Sequence, residues 1–143
     1  MPDHVQLNLV ERGGRTAASS GSKWEPQMGY SRAVRSGNLI SVSGTVGIGA
    51  DGKYSLSLAE QTRRSLQIIQ AAIELLGGKI EHVVRTRMYV TDVSKWEQVA
   101  LVHGEIFGDI RPATAIVQVA ALIDAEAQIE IEADAVVPES GRR

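Results

Sequence analysis

Two stretches near the carboxyl end of the chain alternate apolar and polar side chains with the two-residue period of a β-strand. In residues 129–136, isoleucine and alanine alternate with Glu130, Glu132 and Asp134. Successive side chains of a strand project to opposite faces, so one face of this strand packs and the other is acidic. Residues 111–120 predict a second strand, and 122–127 predict a hairpin loop between the two that is unusual in lacking glycine.

Between residues 57 and 78 the period changes to that of an α-helix. Ser57 and Glu60 have the spacing of a capping box, and Gly77-Gly78 forms a typical stop signal. The residues that recur at three- and four-residue intervals are Leu58, Thr62, Leu66, Ile69, Ile73 and Leu76. This is the strongest helix prediction in the chain.

Three weaker patterns complete the predicted elements. Residues 30–46 predict a hairpin around Ser36-Gly37-Asn38, and residues 82–90 predict a strand. Ser94 and Glu97 form a second capping box, which predicts a helix that runs to about Phe107.

Two segments show no periodicity. Residues 11–23 and 138–143 are small and polar, and they predict a loop and a loose tail. The remaining order is hairpin, helix, strand, helix and two strands, which predicts a single α+β domain over 1–143 with helices on one face of a sheet.

Composition excludes several kinds of chemistry. The chain has no cysteine, which excludes disulfides and thiolate catalysis. His4, His82 and His103 are dispersed, and Gly47-Ile48-Gly49 lacks the third glycine of a dinucleotide fingerprint, so we expect neither a metal nor a cofactor.

Fifteen basic residues against 17 acidic residues do not favour nucleic acid as a partner. The absence of a leader-like or membrane-spanning pattern indicates a cytoplasmic protein without membrane contact.

The order of several motifs resembles the Rid (YjgF-type) family of reactive-intermediate imine deaminases over residues 28–137. Gly29-Tyr30-Ser31-Arg32-Ala33 is similar to the family's Gly/Pro-Tyr-Ser-Gln-Ala motif, and residues 39–46 are similar to its Ser-Gly-Gln strand. Pro112-Ala113, a Val-rich strand and Ile129-Glu130-Ile131-Glu132-Ala133 resemble its carboxyl-terminal signature. The resemblance implies a chorismate-mutase-like sandwich, with a mixed sheet and two helices on one face. It also implies a homotrimer with a central barrel and small-molecule clefts between subunits.

One departure from the family pattern bears on the substrate. The deaminases place an arginine directly after Pro-Ala to hold the substrate carboxylate, whereas this chain has Thr114. A hydroxyl group cannot replace a planar, charged guanidinium that donates two hydrogen bonds to a carboxylate. We therefore expect weak binding of the usual amino-acid-derived substrate. Ala100, where the family often has asparagine, is a second departure.

The resemblance points to Glu130 as the residue that activates water against an imine carbon. The alternative for Glu130 is an ion pair with Arg85 or Arg87, because such pairs are common on sheet faces. Arg87 and Arg111 are candidates to replace the missing arginine, with salt bridging at the surface or interface as the default role of each.

The other family positions around the cleft are candidate substrate-binding residues: Tyr30, Ser43, Thr45, His103, Thr114 and Ile116. Ser43 lacks the surroundings of a nucleophile, so it is expected to bind substrate or to fill a crowded strand. His103 shares an apolar helical stripe with Val99 and Phe107, and it is either a core residue or a proton carrier.

Three functional hypotheses follow. The first is a trimeric Rid-like hydrolase acting on a small imine, enamine or related C=N compound other than 2-aminoacrylate. The second is a non-catalytic ligand-binding or protein-protecting member. The third, an endoribonuclease or translation inhibitor, has the weakest physical support because the chain shows no basic and aromatic platform for RNA.

Overall fold

A computed structural model describes residues 4–139. The elements are β1 (Asn8–Arg12), β2 (Arg15–Ser19), α1 (Trp24–Met28), β3 (Ala33–Ser36), β4 (Leu39–Val46), α2 (Leu58–Leu75), β5 (Val83–Val90), α3 (Trp96–Phe107), β6 (Ala113–Gln118) and β7 (Ile129–Val136). All seven strands form one sheet in the order β1-β2-β3-β4-β7-β5-β6. Every pairing is antiparallel except that of β5 with β6, so the sheet is mixed.

The core lies between one face of this sheet and the helices α2 and α3. The alternation of β7 is seen directly, since Ile129, Ile131, Ala133 and Ala135 are buried and the acidic residues between them are not. Leu66, Ile69 and Ile73 of α2 are fully buried in the same core. Full burial of each large aliphatic side chain stabilises the fold by about 1.5–3 kcal/mol. The predicted sandwich with helices on one sheet face is confirmed.

At the start of α2, one of the two hydrogen bonds of the predicted capping box is present. The Ser57 side chain accepts a hydrogen bond from the Glu60 backbone N–H at 3.2 Å. The Glu60 carboxylate does not reach back, because it accepts a bond from the Arg63 guanidinium at 2.6 Å instead.

The end of α2 is a Schellman motif. Gly77 has φ +89°, and its N–H donates to the carbonyl of Glu74, while the N–H of Gly78 donates to the carbonyl of Ile73. These two bonds satisfy carbonyls that the helix leaves unpaired. The glycine pair therefore ends the helix where the sequence predicts.

The prediction of a loop over residues 11–23 is wrong. β1 and β2 form a hairpin whose two-residue turn is Gly13-Gly14, and both glycines have the positive φ that a type I′ turn requires. The flanking Thr, Ala and Ser residues lack an apolar alternation, but β2 pairs with β3 and buries Ala17 and Ala18. In the predicted loose tail, residues 138–139 are irregular and 140–143 lie outside the described residues.

The predicted hairpin between the two carboxyl-terminal strands is also wrong. β5 lies between β6 and β7, and α3 is the crossover that a parallel β5–β6 pair needs. The start of α3 differs as well, because Asp92 rather than Ser94 accepts the capping bonds and forms a short 3-10 turn before the helix. The hairpin of β3 and β4 around Gly37 and Asn38 is confirmed.

Within residues 4–139, no helix combines the length and the apolar composition needed to cross a bilayer.

We predict opposite effects of alanine at two helix-associated glycines. Gly77→Ala should lower the free energy of unfolding by about 1 kcal/mol, because alanine is strained at positive φ. It also places a Cβ 2.8 Å from an Arg35 guanidinium nitrogen. Gly104→Ala in α3 is the matched control; it meets nothing within 4 Å and should raise the free energy by up to about 1 kcal/mol. Urea unfolding of both variants tests this, and a loss at both positions would contradict it.

Candidate functional site

The face of the sheet opposite the helices carries a row of charged pairs. β5 and β7 place Arg85 opposite Asp134, Arg87 opposite Glu132, and Tyr89 opposite Glu130. The Arg87 guanidinium lies 3.5 Å from Asp134 Oδ2, and the Tyr89 hydroxyl donates to Glu132 at 2.9 Å. Because this face is open in the single chain, such pairs add little stability.

Glu130 lies opposite Tyr89 in this register, but its carboxylate lies against β4 rather than in the row of pairs. β4 has a bulge at Ser43-Gly44, since Val42 pairs with Ala133 whereas Thr45 already pairs with Ile131. The Glu130 carboxylate lies against Gly44, in the space that a Cβ at this position would occupy. The bulge and the missing side chain of Gly44 together make room for the carboxylate.

Glu130 contributes to the lining of a cavity of about 260 Å³. Its polar lining includes Tyr30, Arg32, Thr45, Tyr54 and Asp124. Its apolar lining includes Trp24, Met28, Ile48, Ile68 and Ile123. A small apolar cavity with a few convergent polar groups is the usual form of a ligand site.

The environment of Glu130 favours its protonated form. Burial raises the pKa of the Glu130 carboxyl above the ordinary 4.5, the positive charge of Arg32 opposes that rise, and the negative charge of Glu132 adds to it. A carboxyl group with a raised pKa can exchange protons nearer to neutral pH than an ordinary one.

Arg32 is one of the cavity residues that the sequence did not predict as part of the site. Its Nη2 donates to the Gly44 carbonyl at 2.8 Å, its Nη1 lies 3.4 Å from Thr45 Oγ1, and the Tyr30 ring packs 5.5 Å from its guanidinium carbon. The sequence does mark this position, because Arg32 stands where the family motif similar to residues 29–33 has glutamine.

Two loops meet at the rim of the cavity through Tyr54 and Asp124, which were also missed. The Tyr54 hydroxyl donates to Asp124 Oδ2 at 2.6 Å and so joins the segment before α2 to the segment before β7. Burial, followed by the adjacent Asp124 carboxylate, raises the pKa of Tyr54 far above its ordinary value. The phenol therefore stays protonated and keeps donating this bond.

The apolar wall of the cavity depends on a buried carboxylate in α1. Glu25 is 6% exposed and accepts hydrogen bonds from Ser19 Oγ at 2.8 Å and from the Ser20 N–H at 3.1 Å. These bonds hold α1 against the end of β2 and place Trp24 beside the cavity. Nothing in the sequence pattern distinguishes Glu25 from a surface residue.

Three of the predicted binding residues lie near Glu130. Tyr30 and Thr45 line the cavity. Ser43 lies in the bulge, where its hydroxyl donates to the Ser31 carbonyl at 2.6 Å and holds the segment before β3. The Ser43 hydroxyl is thus engaged in a backbone contact.

Three other predicted residues lie on the opposite, helix-covered face. Thr114 Oγ1 is 2.6 Å from Thr86 Oγ1, which in turn lies 2.9 Å from Nε2 of His103. Ile116 packs against the core on the same side of β6. Burial lowers the pKa of His103, so the imidazole in this chain of bonds is neutral. Within one subunit, Thr114 and Glu130 therefore do not share a site.

The two candidate replacement arginines lie elsewhere. Arg87 contacts Asp134 and Glu132 on the open face. Arg111 has φ +56°, and its side chain turns back to donate to the Gly108 carbonyl at the end of α3. Among residues 4–139, no three His, Asp or Glu side chains group closely enough to hold a metal ion.

Comparison with known proteins shows the family. A family model described as endoribonuclease L-PSP matches residues 21–137. The chain belongs to this family. Members are also called YjgF or Rid proteins, which confirms the resemblance seen in the motifs.

Three relatives of the L-PSP family illustrate the similarity. A Mycobacterium tuberculosis member of the YjgF/YER057c/UK114 family is 49% identical, with a TM-score of 0.80 over 86% of this chain and 99% of that chain. The Escherichia coli 2-iminobutanoate/2-iminopropanoate deaminase is 32% identical over 75% of this chain and 86% of its own length. E. coli TdcF with bound serine is 25% identical, with a TM-score of 0.72 over 76% of this chain and 88% of that chain.

We predict that His103 makes stability depend on pH. Its pKa in the folded chain is below the ordinary 6.5, so the unfolded chain takes up this proton first as the pH falls. Stability contributed above pH 6.5 is then lost as the pH drops through the folded-state pKa.

Urea unfolding between pH 8 and pH 5 measures this loss. In His103→Gln the loss should be smaller than in the parent, whereas His4→Gln, at an exposed position, is the control and should match the parent. An identical pH dependence in the parent and in His103→Gln would contradict the prediction.

Proposed function

We propose that the protein is a Rid-type hydrolase that deaminates a small imine, enamine or related C=N compound in the cavity of Glu130. The observation that carries this proposal is the placement of Glu130. Its carboxyl group is half-buried, has a raised pKa and faces a cavity that also contains Arg32, Tyr30 and Thr45.

The relatives support the same reaction class. The E. coli relative at 32% identity is named for the deamination of 2-iminobutanoate and 2-iminopropanoate. The TdcF structure is described with bound serine, which is a small amino acid. Both facts concern those proteins, and they favour a small nitrogen-containing ligand for this one.

Imine hydrolysis needs a base for water and a proton for nitrogen. The water oxygen bonds to the imine carbon while the nitrogen takes up a proton, and then the carbon–nitrogen bond breaks. Ammonia leaves and a carbonyl group remains; an enamine is first protonated on carbon to give the imine. A single carboxyl group can take the proton from water and return one to nitrogen.

Glu130 is the residue we propose for these proton transfers. Its raised pKa keeps a proton available closer to neutral pH. Tyr30 and Thr45 would position the substrate beside it. Ser43 would act indirectly, by holding the bulge that makes room for Glu130.

Thr114 argues for a substrate other than 2-aminoacrylate. Its hydroxyl already bonds to Thr86, and it carries no positive charge that could hold a carboxylate. A ligand that depends on an arginine at this position would lose a charge-assisted pair, which is worth about 2–5 kcal/mol when buried.

We propose a homotrimer with the open sheet faces turned to a central barrel and with clefts between subunits. The open face carries exposed Leu39, Val117 and Val136 as well as the charged row, and burial of these side chains would favour association. Such an assembly would bring Thr114, His103 and Ile116 of one subunit toward the Glu130 cavity of the next. We place the enzyme in the cytoplasm.

A non-catalytic ligand-binding or protein-protecting role is the second candidate. The bond between Thr114 and Thr86 favours it, because the position that holds substrate in the deaminases is occupied by an internal contact. An endoribonuclease role rests on the family description, and the acidic chain opposes it, so salt-dependent RNA binding would be needed to support it.

We predict that the parent releases ammonia from small imines generated in situ, and that it does so more weakly from 2-aminoacrylate, because Thr114 carries no positive charge for the carboxylate of that compound. Glu130→Gln should lower kcat by about 10²–10⁴-fold, the usual contribution of a general acid–base group. The rate of the parent should fall with decreasing pH along a limb set by a pKa above 4.5, because the carboxylate form takes the proton from water.

The controls separate the two leading candidates. Glu105→Gln, an exposed carboxylate on α3, should retain full activity. If only Thr114→Arg releases ammonia, the fold and the cavity are intact but the parent binds a different ligand. No ammonia release by the parent or by Thr114→Arg would overturn the hydrolase proposal in favour of ligand binding.

A further inference from the structure

We infer that Arg32 is the anion anchor of the Glu130 cavity and holds the carboxylate of a small, apolar-substituted substrate. The reaction assigned to that substrate rests on the proposed function. The anchor itself rests on the charge, the hydrogen bonding and the surroundings of Arg32.

The positive charge of Arg32 has no carboxylate in contact among the described residues. Among residues 4–139, the ion pairs of arginine with carboxylates at 4 Å or less involve Arg63 and Arg87 and none involves Arg32. Glu130 is near enough for the charge of Arg32 to lower its pKa, yet the two groups do not form an ion pair. A half-buried cation at a cavity wall without a contacting anion is suited to bind one from a ligand.

The guanidinium also keeps unused hydrogen-bond donors. It has five N–H groups, of which Nη2 makes one bond of 2.8 Å and Nη1 makes one long contact of 3.4 Å. Its Nε is buried and has no hydrogen-bond partner among the described residues, so the donors left for a ligand are the remaining N–H groups of Nη1 and Nη2. The internal contacts therefore position the group without using up its capacity to bind oxygen.

Arg32 is held in place before any ligand arrives. The Gly44 carbonyl fixes one end of the guanidinium, and the Tyr30 ring packs against it at 5.5 Å. Preorganisation of a charged group lowers the entropy cost of binding, and a fixed guanidinium fork fits the two oxygens of a carboxylate.

The remaining cavity wall selects the rest of the ligand. Trp24, Met28 and Ile123 line the cavity and are 39%, 66% and 77% exposed. An apolar substituent lying against them would remove this surface from water, at about 25 cal/mol per Å² of apolar area. The volume of about 260 Å³ limits the ligand to a small molecule.

This arrangement puts the anchor and the proposed proton-transfer group on one subunit. Arg32 precedes β3, and Glu130 lies on β7, with β4 between the two strands. Thr114 then need not hold the carboxylate, and its replacement of arginine is compatible with a substrate that enters in a different orientation.

Binding of phenylacetate and of its neutral isostere phenylacetamide tests the anchor. Trp24 reports ligand entry by fluorescence in a Trp96→Phe background, which removes the only other tryptophan of the chain. We expect the parent to bind phenylacetate more tightly than phenylacetamide. In Arg32→Gln, phenylacetate affinity should fall by about tenfold or more, as for loss of a charge-assisted bond, while phenylacetamide affinity stays the same.

Two further variants complete the design. Arg32→Lys keeps the charge without the fork, so it should bind phenylacetate with intermediate affinity, and it serves as the test if Arg32→Gln does not fold. Arg63→Gln makes the same change of charge on α2, outside the cavity, and should bind both probes like the parent.

The inference is overturned if the parent binds neither probe, if it does not discriminate between them, or if Arg32→Gln weakens both equally. An assay of ammonia release distinguishes failure of the Arg32 anchor from failure of the proposed hydrolase activity. Charge-selective binding without ammonia release by any variant would keep the anchor and discard the hydrolase. Ammonia release with an unchanged KM in Arg32→Gln would keep the hydrolase and discard the anchor.

Discussion

β7 is paired on both sides, with β4 and with β5, and the two-residue alternation of its side chains constrains the whole molecule. Ile129, Ile131 and their alternate neighbours must face the helices, because only that side offers an apolar partner. The carboxylates between them then project from the open face. A shift in register of one residue would bury three acidic groups and expose the core strand, so the same pattern that stabilises the fold also places Glu130.

The position of Glu130 carries a cost in stability. Because burial raises its pKa, the folded chain binds this proton more tightly than the unfolded chain does. Stability associated with Glu130 is therefore highest at low pH and falls as the pH rises from 4.5 through the folded-state pKa. The buried face of the same strand offsets that cost. Because burial destabilises the charged form of Glu130, its carboxyl group can gain and lose a proton nearer to neutral pH, as proton transfer in catalysis requires.

The parts of the fold with a strong period were predictable from the sequence. α2 and β7 have long, uninterrupted patterns, and both lie where the pattern places them. The hairpin of β1 and β2 was missed because the Thr, Ala and Ser residues of β2 show no apolar alternation, although Gly13-Gly14 is a turn signal. The place of β6 could not be read locally, since insertion of β5 between β6 and β7 depends on the packing of α3.

The sequence predicted residues of the candidate site only where they belong to a family motif. Glu130, Tyr30 and Thr45, which the resemblance names, line one cavity, and their roles there stay a prediction. Arg32 and Tyr54 act through contacts with residues distant in the chain, and no spacing rule reveals such contacts. Glu25 bonds to the nearby Ser19 and Ser20, but no periodic pattern marks it as a buried residue. Thr114 illustrates the opposite case: the sequence shows which residue is missing, but only the structure shows that its hydroxyl bonds to Thr86.

Glu130 and Arg32 face one cavity and influence each other electrostatically. NMR titration of the glutamate side-chain carboxyl carbons, in the parent and in Arg32→Gln, measures this directly. The Glu130 carboxyl should titrate above 4.5 in the parent and higher still in Arg32→Gln, because the opposing positive charge is gone, while Arg63→Gln should leave it unchanged. Titration of Glu130 at its ordinary value in both the parent and Arg32→Gln would contradict this electrostatic coupling.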